Sequence, residues 1–288
     1  IIHAHTEGLA PAAVAAARSL GLPVAVTIHG LTTDQKYLSS HLKKDRISGA
    51  LRTADSVILV GETLHDFFSN YVGKSTHFRV VHNGTILPSH EPKVTFIVKN
   101  ETRLISVGNL QEGKGVDYLL KALSNLMMKG HEAWTYQVVG DGPDRRYLEE
   151  LAVQLGIDTK VHFLGGIKHK SVLEALETAD VFVLPSYREA FGIAYLEAMA
   201  MGRLTIGVAG QGPSQFITNE KTGFLVQGRD TEAVENLLAR ILDGDRVKWQ
   251  AIAAAGRDEV TQNWSWAAHA RNLELVFDEL LDGSNAPK

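Results

Sequence analysis

Short apolar runs alternate with longer amphipathic stretches through almost the whole chain, and few folds other than a parallel α/β sheet accommodate that alternation. From Ile1 to His82 the runs at residues 1–4, 23–28, 56–60 and 78–82 read as strands, while 9–20, 41–53 and 63–71 carry helical spacing. Gly21 and Pro23 stop the first helix. In a second series, strands are expected near 103–107, 134–139, 161–164, 181–184, 204–207 and 224–226. The helices between them are expected near 115–129, 144–155, 169–177, 192–201, 214–218 and 231–242. Six strands with crossover helices complete a doubly wound domain. The first series holds only about four strands in ~90 residues, against ~150 for a typical domain. The chain also opens at Ile1 inside a strand that reads as buried, so the expectation is an amino-terminal domain whose first strands are missing.

These patterns divide the chain into a partial Rossmann-like domain over residues 1–90, a full one over 91–262, and a closing helix with a tail over 263–288. The linker is placed in 84–101, where Pro88 and Pro92 sit among polar residues and no period survives. Between Trp264 and Leu281 the residues Trp266, Leu273, Val276, Phe277 and Leu280 recur at helical spacing. Composition removes several classes. With 44% hydrophobic and 22% charged residues and a net charge of -4, this is an ordinary globular chain without the basic excess of a nucleic-acid binder. It has no cysteine, which excludes disulfides and thiolate chemistry and suits a reducing cytoplasm. No apolar run approaches the ~18 residues of a membrane span.

The most informative stretch runs from Leu184 to Gly202. It joins a strand end, a turn at Gly192 and a helix start, where backbone N–H groups and the helix dipole favour an anion. Glu189 lies in the loop and Glu197 in the helix. A carboxylate cannot bind phosphate there, but it can accept hydrogen bonds from sugar or ribose hydroxyls; both glutamates can equally be solvated helix-end charges. A second stretch, Leu104 to Asp117, is a strand, a glycine-rich loop and a helix start. Gly108, Gly113 and Lys114 nearly spell a phosphate-binding loop, but Gly115 replaces the hydroxyl residue that would hold magnesium. A metal-nucleotide hydrolase is thereby disfavoured. What remains is either a turn with a surface lysine or an ammonium group delivered to a diphosphate without metal.

Weaker signals surround these. Gly140-Asp141-Gly142-Pro143 is a strand-to-helix turn of a common kind. His29 ends a strand where open α/β sheets bind ligands, and a structural histidine would read the same way. His3 and His5 alternate along a strand but lack a third metal ligand. Asp243-Gly244-Asp245 imitates a metal motif, yet follows a helix and reads as a carboxy-terminal cap with solvated acids. No nucleophile elbow is present.

Taken in order along the chain, Lys114 in its glycine loop, the Gly140 to Pro143 turn, and the pair Glu189 and Glu197 resemble the retaining glycosyltransferases of family four, the group 1 glycosyl transferases. The resemblance covers nearly the whole chain. It implies the B-type fold, two Rossmann-like doubly wound domains facing across a cleft, with the donor handled by residues 102–230. It further implies that Lys114 neutralises the donor diphosphate, that Glu197 holds the ribose hydroxyls and that Glu189 meets the transferred sugar. Backbone amides at Phe191, Gly192 and Ile193 would cradle phosphate and sugar, and Ile167 would lie against the base. His29 matches a histidine of the amino-terminal domain that faces the donor sugar. Two positions depart from the family pattern. Asn109 stands where an arginine is usual, so one diphosphate charge is lost unless Arg188 or Arg145 substitutes. Gln215 stands in place of an acid after Gly212.

The implied reaction is sugar transfer from a nucleoside diphosphate sugar to a sugar, lipid-linked or other hydroxyl acceptor, with retention at the anomeric carbon and no metal. Polysaccharide or glycolipid synthesis is the implied setting. An epimerase or phosphorylase of the same fold, or a non-catalytic nucleotide-sugar-binding protein, remains open from the residues alone. A two-carboxylate glycosidase fits poorly, because Glu197 sits on a helix beside the nucleotide and not across the sugar. Lys43, Lys44, Arg46 and Arg52 fall on one helical segment with Leu42, Ile47 and Leu51, a pattern that predicts either a solvated face or peripheral contact with anionic lipid at the inner face of the membrane.

Overall fold

The structure, a computed structural model, describes residues 1–30, 41–72, 77–89 and 101–284. The expected linker residues 90–100, with Pro92, lie outside the described residues. Two compact units emerge: residues 1–84 together with the segment that begins at Trp266, and Thr85–Ser265.

The first unit is a four-stranded parallel sheet in sequential order. Its strands are β1 (Ile2–His5), β2 (Val24–Ile28), β3 (Ser56–Leu59) and β4 (Phe78–Val80), joined through α1 (Ala10–Leu20), α2 (His41–Thr53) and α3 (Thr63–Val72). Gly21 adopts φ +64° and caps α1, which only a residue without Cβ does at little cost. β2 and β3 are buried at every position, as strands covered on both faces must be. The last helix, Trp266–Ser284, joins this unit. Its Leu273, Val276, Phe277 and Leu280 pack on Ala25, Ile58 and Val81. In α2, Ile47 and Leu51 turn into the core at 4% and 0% exposure, whereas Leu42 is 84% exposed.

The second unit contains six parallel strands: β5 (Thr102–Val107), β6 (Trp134–Val139), β7 (Val161–Gly165), β8 (Val181–Val183), β9 (Leu204–Val208) and β10 (Phe224–Val226). Their order is β10-β9-β8-β5-β6-β7. The chain winds outward from β5 through β6 to β7, then returns to β8 on the other side of β5. The switch point therefore falls between β5 and β8, and open α/β sheets bind ligands outside the carboxyl ends of such strands. The covering helices are α4 (Val116–Met128), α5 (Arg145–Gln154), α6 (His169–Thr178), α7 (Ile193–Ala200), α8 (Thr231–Asp243) and α9 (Arg246–Asn263).

Three local expectations change. Residues 214–218 do not form an α-helix; Gly212–Gln215 is a single 3₁₀ turn, flanked by Gln211 and Phe216, with Pro213 in its first positions. Helix α9 is not evident from apolar spacing because Ala253 and Gly256 interrupt the buried face formed by Trp249, Ile252 and Val260. Asp245, read as part of a solvated cap, instead caps the amino terminus of α9, where its carboxylate accepts from the Val247 amide at 2.8 Å. Asp243 meets His131 Nδ1 at 3.2 Å.

Candidate functional site

The loop after β5 and the loop after β8 meet at the switch point because glycines allow their backbones to touch. Gly115 has φ +73°, and a Cβ there would collide with the carbonyl oxygen of Pro185. Gly113 has φ +99°, and its carbonyl accepts from Ser186 Oγ at 3.0 Å and from the Tyr187 amide at 2.9 Å. These contacts bring Lys114 beside Glu189. Lys114 Nζ donates to Glu189 Oε2 at 2.8 Å, with the two side chains 17% and 12% exposed. The backbone of Glu189 is held from a third loop, after β9. Its amide donates to Gln211 Oε1 at 3.0 Å and its carbonyl accepts from the Gly212 amide at 2.9 Å.

Gly192, at φ +97°, sets the start of α7. A Cβ there would stand 2.6 Å from the ring of Tyr195, so the turn excludes other residues. Tyr195 is fully buried and donates its hydroxyl to the Leu184 carbonyl at 2.6 Å, tying the helix back to the end of β8. Burial, and then the nearby Glu189 charge, push the Tyr195 phenol well above its ordinary range. The first-turn amides of a helix have no partner within the helix, so Ile193 lies where an anion is favoured. The Phe191 ring is 2% exposed and packs on Phe216 and Trp264; its side chain anchors the loop.

Glu197 lies on the second turn of α7 with its side chain 12% exposed, and its Oε1 accepts from His169 Nε2 at 2.7 Å. Neither glutamate is a solvated helix-end charge. Ile167, half-buried, follows β7 at the same edge of the sheet, two residues before His169. Asn109 follows β5, where its amide group donates to Gln111 Oε1 at 3.2 Å. Arg145 is engaged by Asp141 at 3.3 Å and Glu149 at 2.8 Å. Arg188 has no carboxylate partner among the described residues, and its side chain lies directly against Gly113. Of the two arginines that could replace the charge missing at Asn109, Arg188 is the one adjoining the Lys114 loop.

In the first unit, His29 follows β2 and its Nε2 lies 2.8 Å from His5 Nδ1 with the rings stacked. Burial lowers the His29 pKa, helped by neighbouring His5 and His269. His3 Nε2 meets Thr27 Oγ1 at 2.7 Å, and burial, aided by His5, His29 and His269, pushes its pKa down to about 4. Thr6, just beyond β1, has φ +75°, a strained value for a β-branched residue. Among the described residues no group of three or more histidine and acidic side chains could hold a metal ion.

Lys114, Glu189, Glu197, Gly192 and Ile193 thus share the carboxyl edge of the second unit, while His29 belongs to the first. Residue patterns missed Gln211 and His169. Gln211 follows the carboxyl end of a predicted strand, which is a usable signal; His169 carries none.

Two parallel α/β units fit the B-type glycosyltransferase fold, which the solved structures similar to this chain share. Anabaena HepE, solved in complex with UDP and glucose, superposes with a TM-score of 0.82 at 18% identity, over 96% of this chain and 77% of that one. The chain belongs to the glycosyl transferases group 1 family, whose model matches residues 89–258, and residues 1–87 match the model of Glycosyltransferase Family 4. An uncharacterised glycosyltransferase of Bacillus subtilis, YqgM, is 30% identical over 90% of this chain and 72% of its own length. A glycogen synthase of Mycobacterium tuberculosis is 27% identical over 100% of this chain and 70% of its own. The protein is a glycosyltransferase.

Proposed function

We propose that the chain moves a sugar from a nucleoside diphosphate donor to an acceptor hydroxyl with retention at the anomeric carbon, in the building of a polysaccharide or glycolipid. The observation that carries this reading is the Lys114–Glu189 pair at the switch point, with Glu197 on the helix that the same loop leads into. Lys114 and the α7 amides near Gly192 and Ile193 neutralise the diphosphate, and Arg188 adds a second cation at the loop. Phe191 contributes its amide to the same cradle, Asn109 lines the loop after β5, and Ile167 meets the base. Glu197 accepts from the ribose hydroxyls and Glu189 from the hydroxyls of the transferred sugar. Lys114, Arg188 and the α7 amides supply the positive charge without a metal ion.

In the reaction the bond between the anomeric carbon and the leaving phosphate oxygen breaks as a bond to the acceptor oxygen forms on the same face. The acceptor proton passes to the departing diphosphate. The protein's share is orientation and charge stabilisation. His29 is the catalytic candidate of the first unit, its pKa lowered by burial and by its histidine neighbours.

Peripheral contact with anionic lipid on the cytoplasmic side rests on the exposed Lys43, Lys44 and Arg46 of α2. It is mainly electrostatic, because Ile47 and Leu51 are spent in the core. Cosedimentation with phosphatidylserine vesicles at low salt, lost at high salt, is the expected result.

The test of the main reading is a screen of uridine, guanosine and adenosine diphosphate sugars with glucoside and lipid-linked acceptors, with the anomeric configuration of the product read by NMR. One donor is expected to be consumed only with acceptor present, giving a product of unchanged configuration. Consumption without acceptor would point to an epimerase, and an inverted product would overturn retention.

A further inference from the structure

Glu197 is held by a side chain from a different helix. His169 opens α6, 28 residues earlier in the chain, and its Nε2 lies 2.7 Å from Glu197 Oε1. A carboxylate only accepts, so Nε2 must carry the proton in this contact. The exposures are unequal: His169 is 52% exposed and Glu197 12%, which puts the imidazole on the solvent side of the carboxylate.

The arrangement matters because of what a carboxylate has to do when it receives a vicinal diol. Two hydroxyls can be accepted together only if both oxygens present lone pairs in one plane, and the terminal torsion of a glutamate is broad and roughly two-fold. One donor fixed on Oε1 removes that freedom, leaving Oε2 and one lone pair of Oε1 available. A lysine or arginine in the same place would always carry a full charge, whereas an imidazole N–H orients the carboxylate even when neutral. The loop Gly165–Lys168 places this donor. Gly165 turns at φ +72° at the end of β7, and three residues separate it from His169. Ile167, the residue read as the base contact, lies on the same short loop, so base and ribose are addressed by one piece of chain.

We propose that His169 is a positioning residue: it sets the Glu197 carboxylate for the 2′,3′-diol of the donor ribose, and so selects ribonucleotides over 2′-deoxyribonucleotides. This inference rests on the reading of Glu197 as the ribose acceptor. A contact serving only to hold α6 near α7 would weaken both nucleotides equally when removed. Selection between them is the property a structural role leaves untouched.

The experiment is calorimetry on the chain with uridine, guanosine and adenosine diphosphate, followed by the 2′-deoxy counterpart of the tightest binder. Wild type, His169→Ala, His169→Gln and Glu197→Gln are compared, with the thermal midpoint recorded for each. In His169→Ala the ribonucleotide is expected to bind about 3- to 10-fold more weakly, the magnitude of one lost hydrogen bond, while the 2′-deoxy nucleotide changes less, so the preference shrinks. His169→Gln, whose amide N–H can reach the same oxygen, is expected to recover part of it and serves if the alanine variant is unstable. An unchanged preference in both His169 variants, with a reduced one in Glu197→Gln, overturns the role of His169 alone. An unchanged preference in Glu197→Gln overturns the ribose reading beneath it, as does failure of all three diphosphates to bind.

Discussion

Lys114 Nζ lies 2.8 Å from Glu189 Oε2, so the cation in the loop between β5 and α4 and the carboxylate after β8 neutralise each other across the switch point. The pairing leaves little net charge at rest, and an arriving diphosphate must draw Lys114 away from Glu189. Replacing Lys114 with Ala is expected to weaken nucleoside diphosphate binding by about 10- to 100-fold, the range for a charge-assisted hydrogen bond, read by calorimetry. Equal affinity would remove the phosphate role of Lys114.

Glu189→Gln separates the two halves of the donor. Without the carboxylate Lys114 has no competitor, so diphosphate affinity is expected to hold or rise. Sugar transfer is expected to fall by ~100-fold or more, the size of effect seen when a group stabilising the reacting centre is lost. Steady-state rates with calorimetry check this, and a matching drop in both quantities would contradict the division of roles.

Arg188 and Arg145 differ in what already occupies them. Arg145 is engaged by Asp141 and Glu149, whereas Arg188 lies over Gly113 without a carboxylate partner among the described residues. Arg188→Ala is expected to weaken diphosphate binding about 3- to 10-fold and to flatten its salt dependence, while Arg145→Ala leaves both near wild type. The reverse order would place the substitute for the missing charge at Arg145.

Gly115 and Gly210 both have positive φ, +73° and +72°, but only Gly115 faces an obstacle, the Pro185 carbonyl; nothing lies within 4 Å of a Cβ at Gly210. Gly210→Ala should cost only left-handed backbone strain, about 1–2 kcal/mol. Gly115→Ala adds a backbone collision and should lower the thermal midpoint further, with loss of nucleotide binding. Equal midpoints for the two variants would mean that the loops after β5 and β8 do not depend on this contact.

His3 has a pKa of about 4 in the folded chain against 6.5 for an ordinary histidine. Between those values the unfolded chain binds the extra proton, so stability rises with pH across the window. The contribution is complete above about pH 6.5 and is lost as pH falls toward 4. Glu7, whose pKa burial raises, works in the opposite sense. The thermal midpoint is expected to drop from pH 7 to pH 4.5, and less steeply in His3→Gln, since His3 is the changed group. Parallel slopes would show that His3 does not carry the effect.

Much of the fold is legible in local pattern. The strands of the second unit, the glycine turns after β5, β6 and β8, and the helix carrying Glu197 each follow from residues close together in the chain. Helix α9 escapes that reading because packing by Ala253 and Gly256 replaces a conspicuous apolar stripe; a Cβ at Gly256 would strike the Thr222 carbonyl. The segment after β9 reads as helical, yet Gly212 is pinned by the Glu189 carbonyl and the turn ends at Gln215.

The sequence by itself determined the alternation of strand and helix, the positions of the glycine turns and the acids and cation worth examining, because each depends on periodicity or on a backbone conformation that few residues tolerate. Only the tertiary structure decided which charge meets which. Lys114 and Glu189 are 75 positions apart, and His169 and Glu197 are 28. Their pairing depends on the winding of the sheet about β5 and on loops placed to within a fraction of an ångström, and hydrogen bonds weaken steeply beyond that tolerance.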